Sequence, residues 1–245
     1  TMGEMQVPAD ALYGASTARA IENFPVGLEP VPAAMIHAFG YLKAACARAN
    51  QELGKLGEKH AKAIVAACGE VAAGKHHVHF PVDIYQTGSG TSTNTNANEV
   101  IANLANQQLG FGVGAKGKEG AVHPNDHVNM GQSSNDTFPA AMHIAASVAI
   151  SRDLIPALER LHADLAAKAK QWDKIVKIGR THLMDATPIR VGQVFSGYAA
   201  QAQYAVVRAG RALKRLEENM PIGGTAVGTG INTHPQFAAK VCAAL

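Results

Sequence analysis

Three short stretches of this sequence gather neutral hydrogen-bond donors. The first is Thr87-Gly-Ser89-Gly90-Thr91, which runs on through an Asn-rich segment to Asn96. The second is His123-Pro124-Asn125-Asp126, closely followed by Ser133-Ser134-Asn135-Asp136. The third is Gly179-Arg180-Thr181-His182. Each reads as a loop directly before a predicted helix. Helix starts carry free N–H groups and partial positive charge, so they attract anions. Hydroxyl and amide side chains can hold an oxygen-rich anion without a fixed charge, and Gly88 and Gly90 allow close backbone approach. An imidazole at His182, beside the Thr181 hydroxyl, adds a group able to carry protons near neutral pH. The pattern describes one anion site assembled from several helix starts.

A plainer reading stands beside each stretch. Residues 86–96 have the composition of a flexible linker, although they pass without a break into the helix-like Glu99 to Leu104. His123 to Asp126 suits a turn, and Ser133 to Asp136 suits an N-cap, with a doubled serine that capping does not require. A lone histidine such as His182 is more often structural than catalytic. Gly223 to Gly230 is no phosphate-binding P-loop, because Thr229 and not lysine follows Gly228. Gly112 to Gly117 matches a dinucleotide fingerprint but follows a predicted helix, so it reads as chance. His76, His77 and His79 lack a neighbouring Cys or carboxylate cluster and read as a solvated loop rather than a metal site.

The elements that must position these groups are mainly α-helical. The 245 residues are 47% hydrophobic with few aromatics, which favours close-packed Ala-rich helices over a sandwich. A net charge of +3 without a basic stripe argues against nucleic acid. Cys46, Cys68 and Cys242 are scattered and odd in number, which fits a reducing compartment. No unbroken apolar run reaches the ~18 residues of a membrane span. Apolar spacing predicts helices over 33–53 with Gly54 as C-cap, 58–73 ended by Gly74, and about 97–109, then a Gly/Lys-rich loop to 121. Val82 to Tyr85 reads as a short extended piece. Asn135-Asp136 is expected to cap a helix, a second begins near Pro156 with Leu158, Leu161 and Leu165, and Ile175 to Ile178 is β-like. One long helix should cover about 190–219, with Phe195, Ala199, Ala202, Val206, Ala209, Leu213 and Leu216 on its buried face. A domain boundary near 130 gives an N-terminal domain, 1–130, and a central helical-bundle domain, 131–245. Thr233 with Gln236 matches a capping box, with Pro235 early in a last helix that has just begun. The central domain is therefore expected to be incomplete.

Together these motifs resemble the class II fumarases of the aspartase/fumarase superfamily. The matching stretches are GSGTSTNTNANEVIANLA at 88–105, VHPNDHVNMGQSSNDTFPAAMH at 122–143, IGRTHLMDATPIRVGQ at 178–193 and GGTAVGTGINTHP at 223–235. The opening TMGEMQVPADALYGASTARAIENFP is also similar, so the resemblance spans essentially the whole chain. His182, Ser134 and His234-Pro235 look more like fumarase than like the related aspartase.

The resemblance implies an aspartase/fumarase-like fold: an N-terminal mixed domain, then a long-helix bundle, truncated here. It implies a lyase of the tricarboxylic acid cycle that reversibly hydrates fumarate to (S)-malate with no cofactor and no metal. It also implies a homotetramer in the cytoplasm, or the mitochondrion of a eukaryote, with no nucleic-acid or membrane partner. Ser89, Gly90, Thr91, Ser133, Ser134, Asn135 and Thr181 would bind the dicarboxylate, and His182 would be the acid/base residue. His123, Pro124, Asn125 and Asp126 would form a second dicarboxylate site. The family's Gly-Ser-Ser-x-Met-Pro-x-Lys-x-Asn loop, with its catalytic serine, is absent from the sequence. Met130, Gly131 and Met184 stand where some fumarases have polar residues, and neither Gly120 nor Ala121 offers the basic group some relatives place before His123. An ammonia-lyase of the same superfamily and a non-catalytic scaffold with the same fold are the alternative readings.

Overall fold

A computed structural model describes residues 4–245. It is mainly helical, with eight α-helices and one two-stranded sheet among the described residues. The chain divides into two compact units, residues 1–145 with 220–245, and residues 146–219.

The first unit is built on α1 (Ala15–Asn23), α2 (Ala33–Glu52), α3 (Glu58–Ala72) and α4 (Thr91–Gln108). It also holds most of α5 (Ser134–Ala149), and α8 (Phe237–Ala244) returns to it. Alanine keeps α2 and α3 thin enough to pack closely. At Gly40 a Cβ would stand 2.6 Å from the backbone nitrogen of Ala72, so glycine is what lets the two helices touch there. The core is Phe39, Leu42, Ile64, Val71, Val100, Ile101, Val122, Val128, Phe237 and Val241, all essentially inaccessible to water. Gly54 and Gly74, with φ of +67° and +76°, end α2 and α3 as their spacing predicts.

Helix α4 starts at Thr91, not near residue 97. Its first turns are poor in local helix propensity but are held by distant loops. Asn96 donates to the His79 carbonyl at 2.9 Å, and Asn103 donates to that of Leu12 at 2.8 Å. Asn106 both donates to the Val122 carbonyl and accepts its N–H. Glu99 is buried and accepts from the N–H groups of Gly14, Ser16 and Thr17 and from the Thr17 hydroxyl, closing the start of α1. Asp83 does the same for the turn at Val26, Gly27 and Leu28. The expected extended piece at 82–85 is reduced to a single antiparallel bridge between Pro30 and Asp83.

The second unit packs α6 (Ile155–Gln171) against α7 (Val191–Glu218). The stripe from Phe195 to Leu216 lies on the covered side of α7, with Ala199 and Ala202 buried and the rest half-buried. Trp172 meets Phe195 edge-on at 4.8 Å, and His162 Nδ1 lies 2.9 Å from the Ala199 carbonyl. Leu161, on α6, is 49% exposed. The break expected before Pro156 is instead a π-turn, Ile150–Leu154, that carries α5 into α6. This composite helix, Ser134–Gln171, is long and apolar enough by composition to cross a membrane. No unbroken apolar run announces it, because its apolar residues recur at helical spacing between polar ones. The β-like segment becomes strand β1 (Val176–Thr181), paired antiparallel with β2 (Met184–Arg190). Gly179 absorbs a register shift between Ile178 and Arg180.

Near the C-terminus the expected capping box does not form. Gln236 is itself in helical conformation without a side-chain cap, and the Thr233 hydroxyl is buried without a partner. Instead His234 Nδ1 accepts the Gln236 N–H at 3.1 Å, as it can because the turn folds back on the histidine.

Candidate active site

The first donor-rich stretch and the Ser133 to Asp136 part of the second come together in the first unit. Gly90 takes φ +68° at the start of α4, and its N–H closes a turn onto the Thr87 carbonyl at 2.9 Å. This turn sets Ser89 and Thr91 side by side, their hydroxyl oxygens 2.9 Å apart. Thr91 Oγ1 lies 2.8 Å from Ser134 Oγ at the start of α5. Two helix starts, separated by over forty residues, therefore join through a line of three hydroxyls at the surface. A Cβ on Gly90 would fall 2.1 Å from Cδ2 of Phe138, so the α4 turn is seated against α5 at a residue without a side chain.

Ser133, rather than Asn135-Asp136, is the residue that starts α5. Its hydroxyl accepts the Asn135 N–H at 3.2 Å, while Asp136 Oδ1 accepts the Ser133 N–H at 3.0 Å, a reciprocal cap. The other oxygen of Asp136 accepts from the N–H groups of Gly223 and Thr225. The Asn135 amide donates to the Ala226 carbonyl at 2.7 Å. The 223–230 glycine-rich loop is thus a strap over the start of α5, with no phosphate cradle in it.

The donors differ from the sequence reading in one respect. Two N–H groups at the start of α4 are already taken, Ser92 by the Thr87 hydroxyl and Thr93 by Gln86 Oε1. Most of the Asn-rich segment faces the core. The hydroxyls of Ser89, Thr91 and Ser134 stay at the surface. Gln86, which also donates to the Thr93 hydroxyl, was not singled out in the sequence. Its position seven residues before the helix-turn hydroxyl was the available signal.

Thr181 and His182 lie in the second unit, both exposed. They do not precede a helix, since β2 intervenes before α7. His182 and Leu183 form the two-residue tip of the β1–β2 hairpin, with φ of +52° and +62°. Two-residue hairpins of this kind prefer Asn-Gly, because a side chain at positive φ is strained. A histidine and a 95% exposed leucine held there mark a tip shaped for something other than stability.

The second proposed site is a separate π-turn, Pro124–Val128. His123 Nδ1 accepts the N–H groups of Asn125 and Asp126, and also lies 3.1 Å from Asp126 Oδ2. These are alternatives, since one nitrogen cannot cap N–H groups and donate to a carboxylate at once. With Nδ1 bare the ring caps the turn, and with a hydrogen on Nδ1 it donates to Asp126 instead. His127 Nδ1 accepts the His123 N–H, and its ring lies against His60. Burial, followed by the neighbouring His60, holds the His127 pKa below the usual histidine value.

The His76–His79 segment is a short helical turn tied to its surroundings, not a free loop. His76 lies 2.9 Å from Glu70, and His79 accepts the Leu12 N–H. His77 stacks on His37, with their Nε2 atoms 2.7 Å apart. Among the described residues no group of three or more His, Cys, Asp or Glu is placed to hold a metal.

Comparison with known proteins converges on one family. A family model described as Lyase matches residues 3–245. The class II fumarate hydratase of Corynebacterium glutamicum is 56% identical over 245 residues, covering 100% of this chain and 50% of that protein. The solved class II fumarase of Schistosoma mansoni superposes with a TM-score of 0.92 at 40% identity, over 99% of this chain and 50% of that one. A fumarate lyase:delta crystallin of Brucella melitensis gives 0.93 at 39% identity, over 100% and 52%. The chain spans about half the length of the curated relatives it matches. With a whole-chain match to the family model and a shared fold beneath it, this chain belongs to the Lyase family.

Proposed function

We propose that the whole protein reversibly hydrates fumarate to (S)-malate, as a class II fumarase. One observation carries the reading: the Ser89–Thr91–Ser134 line of hydroxyls, which joins two helix starts into a single surface of neutral donors. Fumarate hydratases among the relatives support the choice of substrate.

The chemistry needs such donors. Taking a proton from the carbon beside a carboxylate builds charge on that carboxylate, and fixed hydroxyls stabilise it more than the ground state. Ser89, Gly90, Thr91, Ser133, Ser134, Asn135 and Thr181 would hold the dicarboxylate. His182, at its strained tip, would manage the proton of the arriving or departing water. A serine on a loop outside this sequence would exchange the carbon-bound proton. His123, Pro124, Asn125 and Asp126 would form a second dicarboxylate site. The proposed organisation is an N-terminal domain, 1–130, followed by a bundle domain that begins at 131. The exposed large apolar residues Leu154, Leu161, Tyr198 and Tyr204 suit burial between copies, which supports a homotetramer. A cytoplasmic place, or a mitochondrial one in a eukaryote, fits the relatives named.

The test is fumarate absorbance with the whole protein, with and without ammonium. Loss of fumarate without ammonium, giving (S)-malate, is the expected result. Loss only with ammonium would make the protein an ammonia-lyase, and dicarboxylate binding without turnover would make it a scaffold.

A further inference from the structure

Lys43 sits in the middle of α2 with its side chain fully buried. Its ammonium donates to Asn94 Oδ1 at 2.8 Å, Asn129 Oδ1 at 2.9 Å and Gln132 Oε1 at 2.9 Å. Three acceptors fill its three N–H bonds, and all three are neutral. A buried cation without a partnered anion carries a large desolvation cost, which an alanine or leucine in this Ala-rich helix would avoid.

No neighbour cancels the charge by contact. The titratable groups that act on it are Cys46 from its own helix, Cys68 from α3 and Asp136 from α5. Burial pushes the Cys46 thiol up to about 12 and the Cys68 thiol higher still, so both stay neutral. The Asp136 carboxylate is taken up by the N–H groups of Ser133, Gly223 and Thr225.

The three acceptors occupy telling places. Asn94 closes the first turn of α4, its N–H on the Gly90 carbonyl at 3.1 Å. Gln132 immediately precedes Ser133, and Asn129 follows the π-turn. The Thr137 hydroxyl also reaches Asn94 Oδ1, at 3.0 Å. The ammonium therefore lies behind the same two helix starts that present Ser89, Thr91 and Ser134 to solvent.

We propose that Lys43 is a positioning residue for dicarboxylate binding: it locks the starts of α4 and α5 together and sets a buried positive charge behind their hydroxyls. The proposal rests on the dicarboxylate reading of the site. Burial lowers the Lys43 pKa from its usual 10.5 to about 8, so the charge is present at neutral pH and leaves in mild alkali. Between those two values the unfolded chain holds more protons than the folded one, so this group makes stability rise with pH. Dicarboxylate affinity moves the opposite way, because the attracting charge is leaving. The opposed directions separate a binding role from a merely structural one.

The experiment measures fumarate KM and kcat for the whole wild-type protein, Lys43→Met and Lys43→Gln from about pH 7 to 9.5. Calorimetric succinate binding over the same range needs no turnover. One charge acting through a protein layer of effective dielectric about 20 is worth on the order of tenfold in affinity. Lys43→Met should raise KM by that factor at neutral pH, change kcat by less than about threefold, and flatten the rise of KM that the wild type shows above pH 8. Should the Met variant fail to fold, Lys43→Gln, which keeps an amide donor, carries the same expectation, and the wild-type pH series needs no variant. A folded variant with wild-type KM and pH profile overturns the proposal, as does a wild-type dicarboxylate affinity that is flat across the range. Succinate binding without fumarate turnover defeats the hydratase reading while leaving Lys43 to be judged by the binding series. Absence of both defeats both.

Discussion

Replacing Gly90 by alanine puts two separable loads on the start of α4. The first is conformational, since φ is +68° there and a side chain in the left-handed region costs about 1–2 kcal/mol. The second is steric. The new Cβ would stand 2.1 Å from Cδ2 and 2.2 Å from Cγ of Phe138, so the ring or the helix start must move. Overpacking of this kind costs about 1–3 kcal/mol. The sum is roughly 2–5 kcal/mol, a fall in midpoint temperature of roughly 5–15 °C for a chain of this size. Gly54 supplies the control. Its φ is +67°, almost the same, but a Cβ there meets nothing within 4 Å, so Gly54→Ala bears the conformational load alone. Thermal unfolding of both variants, and of Gly90→Ala with Phe138→Leu, separates the loads. The steric part should appear as a coupling of about 1–3 kcal/mol with Phe138. Equal losses for Gly54→Ala and Gly90→Ala, or no coupling with Phe138, would refute the idea that this turn is seated on α5.

Three further outcomes are expected. In the whole protein, His182→Asn should lower turnover about 10²–10⁴-fold while dicarboxylate binding stays within a few fold, because asparagine tolerates the positive φ and only the proton carrier is lost; near-normal turnover would remove His182 from the mechanism. Asp136→Asn must set its NH₂ against either the Ser133 N–H or those of Gly223 and Thr225, and should cost roughly 2–4 kcal/mol in urea unfolding; a loss under about 0.5 kcal/mol would mean that the strap and cap do not depend on it. Stability should also fall as pH drops from about 7 toward 5. Burial first, then a neighbouring histidine, lowers the pKa of His37, His79 and His127 in the folded protein. The unfolded chain takes up protons first, near pH 6.5, so acidification favours it through that window. A midpoint temperature that is constant or rising there would contradict the assignment.

What could be read from the sequence was whatever neighbours in the chain decide. The burial stripes of α2, α3 and α7 and the glycine stops at 54 and 74 follow from local spacing and backbone freedom, and they stand where expected. The early start of α4 could not be read that way. Residues 91–96 are weak helix formers, and what secures the helix is Asn96, Glu99, Asn103 and Asn106 reaching loops far along the chain. Of the hairpin under His182 only the start of β1 was legible; β2 was hidden for a related reason, since it is almost wholly exposed and no alternation of apolar and polar residues marks it. The candidate site shows both cases at once. Its hydroxyls could be listed from sequence, since loops rich in Ser, Thr and Gly are conspicuous. Their arrangement could not, because it depends on Lys43, a charge on the buried face of α2. One signal was available, since Lys43 sits beside Leu42 and four residues after Phe39, on the face that the apolar spacing buries. A charged residue on a buried face must be paid for by acceptors, and here the acceptors are amides on the very segments that begin the donor-rich helices. The apolar stripes bring the helices together, and the buried polar contacts decide how their starts are aligned.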